Sequence, residues 1–208
     1  MKHSGKIIWW AILPIMVVIA TWITLRNLDA FQLRTDTGYL STVGQVGQAG
    51  WFRFGFFLHV FTAVPVIFLG WPQFSNWLQT QKPRLHRGMG KTYVALVLFG
   101  AAPGGFILAL GAAGGWAGKA CFVVMSALWF FFTLRAWLRI RRREVRGHQM
   151  DMQRSYALSF AAITLRIWMY AIGGLLEWRT PGAYALSAFL CWVPNIVLLE
   201  AWRKWVAK

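Results

Sequence analysis

The chain has 208 residues, of which 58% are hydrophobic and only 13% are charged, and its formal net charge is +16. A soluble domain carries about 25% charged residues, so this composition excludes a soluble globular protein. The basic residues form short clusters between long apolar runs instead of one stripe, which excludes nucleic acid as the partner. The sequence therefore predicts an all-α integral membrane protein in contact with the lipid bilayer.

Six apolar runs are long enough to cross a membrane as helices, which takes about 20 residues each. We number them first to sixth in chain order, and they cover residues 7–25, 51–71, 93–110, 116–138, 156–176 and 184–202. Neither an internal repeat nor a separate soluble region accompanies them. Residues 1–208 are therefore predicted to form a single transmembrane domain, a bundle of six helices.

The distribution of Lys and Arg predicts the orientation of this bundle. Of the 22 basic residues, sixteen lie on one side: in the N-terminal tail, in or at the borders of the two loops that follow the second and fourth spans, and at the C-terminus. Five lie in the segments on the other side or at the span ends next to them. Because basic segments stay in the cytoplasm, both termini are predicted to be cytoplasmic (N-in, C-in), in a multi-pass protein of the bacterial inner membrane.

Two histidines stand at the predicted cytoplasmic ends of two helices that both run outward. His86 lies in PRLHRGMGKTYV, and His148 lies in RGHQMDMQRSYALSF. Imidazoles at matched depth on neighbouring helices can supply both axial ligands of haem b, so His86 and His148 are candidate ligands of a haem iron. Gly90 would leave room for a flat macrocycle, and Arg87 and Arg154 would bind its propionates. The alternative is that both histidines are solvated contacts to lipid headgroups.

A stripe of polar or small residues follows the fifth span at helical spacing. It comprises His148, Met152, Ser155, Ser159, Ala162, Arg166, Tyr170 and Gly173. An arginine at mid-membrane depth costs at least about 2.5–3.5 kcal/mol unless it meets a partner or water. The stripe is therefore predicted to face the bundle interior, and the alternative is that it serves helix packing alone.

A second candidate site lies in the outer half of the bundle. His59 in the second span and Met125 in the fourth match Arg166 in predicted depth. Together they could hold a quinone head group, an anionic group or a second haem with His59 and Met125 as ligands. The alternatives are a single interhelical hydrogen bond for His59 and ordinary packing for Met125.

Other chemistry finds little support in the sequence. It contains no nucleophile elbow, phosphate-binding loop or HExxH motif, and only six acidic residues. Asp151 and Glu144 lie in the basic loop that leads into the fifth span, where we expect salt bridges to neighbouring arginines. Whether the protein is an enzyme stays open.

Several motifs occur together and in order. They are the second span with His59, GWPQF, LHRGMGKTYV and HQMDMQRSYALSFAAITLR. Over about residues 51–170 they resemble the uncharacterised bacterial membrane family named domain of unknown function 2306. The resemblance implies shared positions at His59, His86, Arg87, Gly90, Tyr93, His148, Met152, Arg154, Ser155, Tyr156 and Arg166. The layout of helices and histidines is also similar to that of transmembrane b-type cytochromes, although the fourth span lacks the histidine that a second bis-histidine haem needs.

These observations lead to one hypothesis and one alternative. The hypothesis is a membrane b-type cytochrome-like electron-transfer protein that binds one haem near the cytoplasmic side through His86 and His148. His59 and Arg166 would shape a quinone or second polar site, and a redox partner or larger membrane complex is implied. The alternative is a non-enzymatic accessory subunit of a membrane complex, or a small-molecule permease, with structural His and Arg residues.

Overall fold

The computed structural model describes residues 18, 40, 43–178 and 180–206, and these form helices joined by short turns, with no strand among them. In this part of the chain five helices are long and apolar enough to cross a membrane. They are α1 (Gly50–Phe74), α3 (Pro83–Leu110), α4 (Gly115–Arg141), α5 (Val145–Leu175) and α6 (Pro181–Trp205). The short helix α2 (Asn76–Gln81) joins α1 to α3. These spans correspond to the second to sixth predicted ones, and the first, 7–25, lies outside the described residues except for residue 18.

The helix of the third span begins earlier than its apolar run. Pro83 occupies the first turn of α3, where its missing N–H costs nothing and its fixed φ favours the helix. The polar stretch before residue 93 is thus already helical. This extension places His86 inside the first turns of α3.

Two π-helical turns interrupt the long helices. One covers Val97–Ala101 in α3, just before Pro103, and there the N–H of Ala102 bonds to the carbonyl of Val97. Because Pro103 has no N–H, the regular α-helical pattern cannot continue through this point. The other covers Ala171–Leu175 at the end of α5. Turns of this kind change the face that the following residues present.

Glycines allow α1 and α3 to pack closely. A Cβ added at Gly104 would lie 2.7 Å from the backbone nitrogen of His59 and 2.8 Å from the carbonyl oxygen of Gly55. One turn earlier, a Cβ at Gly100 would lie 2.4 Å from the side chain of Thr62. Gly100 and Gly104 have the four-residue spacing of small residues at membrane helix interfaces. They hold the backbone of α3 against His59.

The polar stripe of α5 divides into two halves. Met152, Ser155 and Ser159 are buried, but Arg166 and Tyr170 are exposed. The prediction of an interior-facing stripe is therefore wrong for its second half. A tight turn causes the change: α5 is interrupted at residue 160, where the N–H of residue 163 bonds to the carbonyl of residue 160, 2.9 Å away. Such a turn advances the chain by about 120° per residue instead of 100° and so rotates the stripe.

The outer surface of the bundle is apolar and aromatic. Phe99, midway along α3, exposes 79% of its surface, and Trp116 at the start of α4 exposes 88%. Exposure of such a surface to water is unfavourable. The hydrocarbon core of a membrane stabilises the phenyl ring, and the membrane–water interface favours indole rings. The chain is thus a multi-pass membrane protein whose outer surface contacts lipid.

The basic segments of the described residues meet at one end of the bundle. The start of α5 contacts the end of α4 through Arg135 and Asp151, 2.6 Å apart, and the end of α6 through Arg154 and Glu200, 2.6 Å apart. His86 and His148 lie at this same end. We call it the basic end.

Candidate cofactor site at the basic end

A hydrogen bond between α3 and α5 places the two candidate ligands at one level. Tyr93 Oη lies 2.9 Å from Ser155 Oγ. His86 precedes Tyr93 by seven residues (93 − 86), and His148 precedes Ser155 by seven (155 − 148). Seven residues are two helical turns, about 10.5 Å, and return to the same face. Because the two helices run in the same direction, both histidines lie two turns from this hydrogen bond, towards the basic end.

The imidazole of His148 is oriented by the neighbouring helix α4. Its Nδ1 donates a hydrogen bond to the carbonyl oxygen of Ala136, 3.0 Å away. A carbonyl can only accept, so the proton of a neutral ring is on Nδ1 and the lone pair is on Nε2. Histidines that bind metals commonly donate their second ring nitrogen in this way. His148 is therefore prepared to ligate through Nε2.

The imidazole of His86 is half-buried and incompletely satisfied. Its Nδ1 is buried and has no hydrogen-bond partner in the part of the chain that the structure describes. An unsatisfied buried polar atom costs about 1–3 kcal/mol, so natural structures seldom keep one without a reason. Axial ligation through Nε2 fits this residue and would use its Nδ1–H as a donor. The pair His86 and His148 thus fits the donor set of a bis-histidine haem.

Gly90 leaves space one turn above His86 on the same face of α3. A Cβ at this position would lie 3.3 Å from Gln73 Oε1, at the end of α1. Gln73 is 6% exposed, and its Nε2 is a second buried polar atom without a partner. The sequence did not single out Gln73, although it lies in the motif GWPQF. A neutral glutamine there belongs neither to a charged cluster nor to a periodic polar stripe.

The two arginines predicted to bind propionates differ in availability. Arg87 is exposed, lies beside His86 and has no carboxylate partner among the described residues. Arg154 donates from Nε to Glu200 at 2.6 Å and from Nη1 to Asp151 at 3.0 Å. Arg154 is thereby committed to joining helices, and Arg87 is the more available of the two for an anionic group.

A buried carboxylate organises the arginines next to His148. Asp151 is 0% exposed and accepts two hydrogen bonds from Arg135, at 2.7 and 2.6 Å, and a third from Arg139 at 2.8 Å. Arg139 also lies 3.8 Å from Glu144. The prediction of salt bridges for Asp151 and Glu144 is confirmed. The sequence did not indicate that Asp151 is buried and joins arginines of α4 and α5, one turn from His148.

Tyr93 belongs to a closed cluster of buried hydroxyl groups. Its Oη lies 3.1 Å from Ser159 Oγ in addition to the contact with Ser155. Ser155 Oγ lies 2.7 Å from Thr133 Oγ1, which donates to the carbonyl of Trp129. Each hydroxyl therefore has a partner within the protein. Tyr93 joins α3 to α5 two turns away from the candidate ligands His86 and His148.

The outer candidate residues have separate surroundings. His59 Nδ1 donates to the carbonyl of Ala101, 2.7 Å away, and its ring stands edge-on to Trp129 with centroids 6.5 Å apart. Arg166 is exposed and donates to the carbonyl of Ala162, one turn back on its own helix. Met125 packs against the hydrophobic core. No group of three or more His, Cys, Asp or Glu side chains forms in the part of the chain that the structure describes.

A family model described as "Predicted membrane protein (DUF2306)" matches residues 56–203 of this chain. The match contains His59, the pair His86 and His148, and Arg166. Comparisons with curated proteins and with solved structures give no match.

Proposed function

The chain belongs to the DUF2306 family of predicted membrane proteins, and we propose that it is a b-type cytochrome-like electron-transfer protein. One haem b would lie at the basic end, with His86 and His148 as its axial ligands. The observation that carries the proposal is the hydrogen bond from His148 Nδ1 to the carbonyl of Ala136, 3.0 Å away. It prepares Nε2 as a ligand, opposite a second histidine whose Nδ1 is buried without a partner.

The residues around the pair have separate roles in this proposal. The Tyr93–Ser155 hydrogen bond holds α3 and α5 in register, and the Asp151 cluster holds α5 against α4, so both imidazoles keep their level. Arg87 would neutralise a propionate at the interface. Haem held by His86 and His148 would supply one-electron exchange, with a potential set by ligands, burial and nearby charge. One electron taken from a reduced donor would pass to an oxidised acceptor.

A quinone site in the other half of the bundle is the second part of the proposal. His59 and Arg166 lie on α1 and α5 in that half, and a cavity of about 390 Å³ opens further along α5, between Met169, Gly173 and Tyr184. This volume lies in the range of small-molecule sites. An intramembrane arginine without a carboxylate partner among the described residues is the group that would bind a carbonyl oxygen of the quinone head. The basic end would face the cytoplasm of a bacterium, according to the charge bias.

The alternative of a non-enzymatic subunit or permease has its own support. Arg154 is held by two carboxylates, and His59 makes one interhelical hydrogen bond. Both arrangements are what structural polar residues provide. Against it stands the unsatisfied Nδ1 of His86, which contributes nothing to packing and adds a cost of desolvation.

The optical spectrum of the purified protein separates the two functions. The protein is produced in haem-replete cells, purified in detergent and examined before and after reduction with dithionite. The cytochrome proposal expects a red protein, about one haem per chain and a low-spin reduced-minus-oxidised difference spectrum. A colourless protein of the same purity would leave the non-enzymatic alternative.

A further inference from the structure

Two buried polar atoms at the basic end have no hydrogen-bond partner among the described residues. One is Nδ1 of His86 on α3, and the other is Nε2 of Gln73 at the end of α1. The carboxamide of Gln73 lies against Gly90, where a Cβ would be 3.3 Å from its Oε1. Gln73 is 94% buried, being 6% exposed, so water does not compensate for the missing bond. The unpaired Nδ1 of His86 costs about 1–3 kcal/mol, and a nearby acceptor such as the carbonyl oxygen of a carboxamide would remove that cost.

The side chain of Gln73 lies one helical turn along α3 from His86. It lies against Gly90, and Gly90 and His86 are four residues apart on one face of α3, so their Cβ positions are about 5–6 Å apart. Gln73 is held from behind, because its backbone carbonyl accepts a hydrogen bond from Gln79 Nε2 at 2.8 Å. Its carboxamide can still rotate, since no described residue hydrogen-bonds to it.

We propose that Gln73 is a positioning residue for His86, and that its side-chain carbonyl accepts the Nδ1–H of His86 when Nε2 binds the haem iron. This inference rests on the proposed cytochrome function. It gives His86 the counterpart of the bond that His148 already makes to Ala136. Gly90 is required in this arrangement because a side chain there would displace the carboxamide.

The bond has a consequence for the midpoint potential. An acceptor on Nδ1–H makes the imidazole a stronger electron donor to the metal and so stabilises the oxidised iron. Removing the acceptor, in Gln73→Leu, raises the potential. Strengthening it, in Gln73→Glu, lowers the potential. A residue that only fills space would make both substitutions shift the potential in the same direction or in neither.

Redox titration of the purified holoprotein tests the proposal in wild type, Gln73→Leu and Gln73→Glu. Gln81→Leu and Gln81→Glu are matched controls, because Gln81 lies on the neighbouring helix α2 and is exposed. The expected result is opposite shifts at position 73, unchanged haem content in Gln73→Glu, and no shift in either control. Haem content is measured for every variant, so that loss of folding is seen separately from a change in potential.

Three results would overturn the proposal. A red wild-type protein with equal potentials in Gln73→Leu and Gln73→Glu removes the role of Gln73 and leaves the cytochrome function intact. A colourless wild-type protein removes the function and this inference with it. A Gln81→Glu shift as large as that of Gln73→Glu would also overturn it, because a through-space charge effect would then account for the change.

Discussion

Tyr93 Oη and Ser155 Oγ lie 2.9 Å apart in the buried centre of the bundle, and this contact sets the relative level of α3 and α5. Thr133 donates to a backbone carbonyl, so Ser155 donates to Thr133 and Tyr93 donates to Ser155. The backbone carbonyl of Trp129 can only accept, so it sets the direction of the hydrogen bonds from Tyr93 through Ser155 to Thr133. Two turns from this contact, the same register places His86 at the level of His148.

Removing the hydroxyl of Tyr93 tests this register. Tyr93→Phe leaves Ser155 without its donor in a site that water does not reach, so we expect a loss of roughly 1–2 kcal/mol in stability. Tyr170→Phe is the matched control, because Tyr170 is 68% exposed. Thermal unfolding in detergent measures both. Equal midpoints for the two variants would mean that the buried hydrogen bond contributes nothing to the packing of α3 and α5.

The assigned axial pair makes the sharpest prediction. His86→Ala and His148→Ala each remove one ligand, so each should abolish or strongly alter the reduced-minus-oxidised band. His59→Ala should keep the band, because His59 bonds to Ala101 far along α3 from His86. Difference spectra of membranes with equal protein content give the answer. Loss of the band in His59→Ala, with His86→Ala unaffected, would show that the axial pair is a different one.

Asp151 should be the acidic residue whose charge matters most at the basic end. Asp151→Asn removes the charge that faces Arg135, Arg139 and Arg154, and breaking a buried ionic cluster costs roughly 3–5 kcal/mol. We expect about 3 kcal/mol, because these arginines are 18–33% exposed and water screens part of the loss. Chemical denaturation followed by tryptophan fluorescence measures the difference.

The control for Asp151 is Glu144→Gln. Glu144 is 49% exposed and lies 3.8 Å from Arg139, so its removal should cost at most about 1 kcal/mol. Similar losses in the two variants would contradict the idea that burial distinguishes the two carboxylates.

Arg166 tests the outer site. Arg166→Leu removes an insertion cost of about 2.5–3.5 kcal/mol, so the amount of protein in the membrane should be equal or higher. Electron transfer from the reduced protein to an added quinone should nevertheless fall, whereas the haem band should persist. Stopped-flow oxidation by a short-chain quinone measures the rate. Arg146→Leu, in the exposed first turn of α5, is the control, and an unchanged rate in Arg166→Leu would remove Arg166 from the site.

Cysteine labelling of intact cells tests the proposed orientation. In a background where the half-buried Cys121 is replaced by Ala, Gln45→Cys and Arg146→Cys place one thiol at each end of the bundle, both at exposed positions. An impermeant thiol reagent should label position 45 and should reach position 146 only after the membrane is opened. The reverse pattern, or labelling of both in intact cells, would overturn the orientation.

The sequence alone determined which segments are helical and that they lie in a membrane. An apolar run of about 20 residues has a low free energy only where hydrocarbon surrounds it, so five described spans were found close to their predicted places. It also indicated the salt bridges of Asp151, because a carboxylate among many arginines finds a partner in almost any packing. These properties depend on local composition, which can be read directly from the sequence.

Tertiary structure decided which side chains share a site. Beyond the tight turn at residue 160, the polar stripe no longer faces the bundle interior. A prediction from helical periodicity assumes one constant rotation per residue and therefore misses a turn with a different rotation. Gln73 became a candidate because α1 ends against Gly90, a contact between residues 17 positions apart (90 − 73). Arg154 is paired with Glu200, 46 positions away, and is therefore less available for a ligand. The relative rotation and level of packed helices are set by contacts between distant segments, and so the faces that meet are decided by packing.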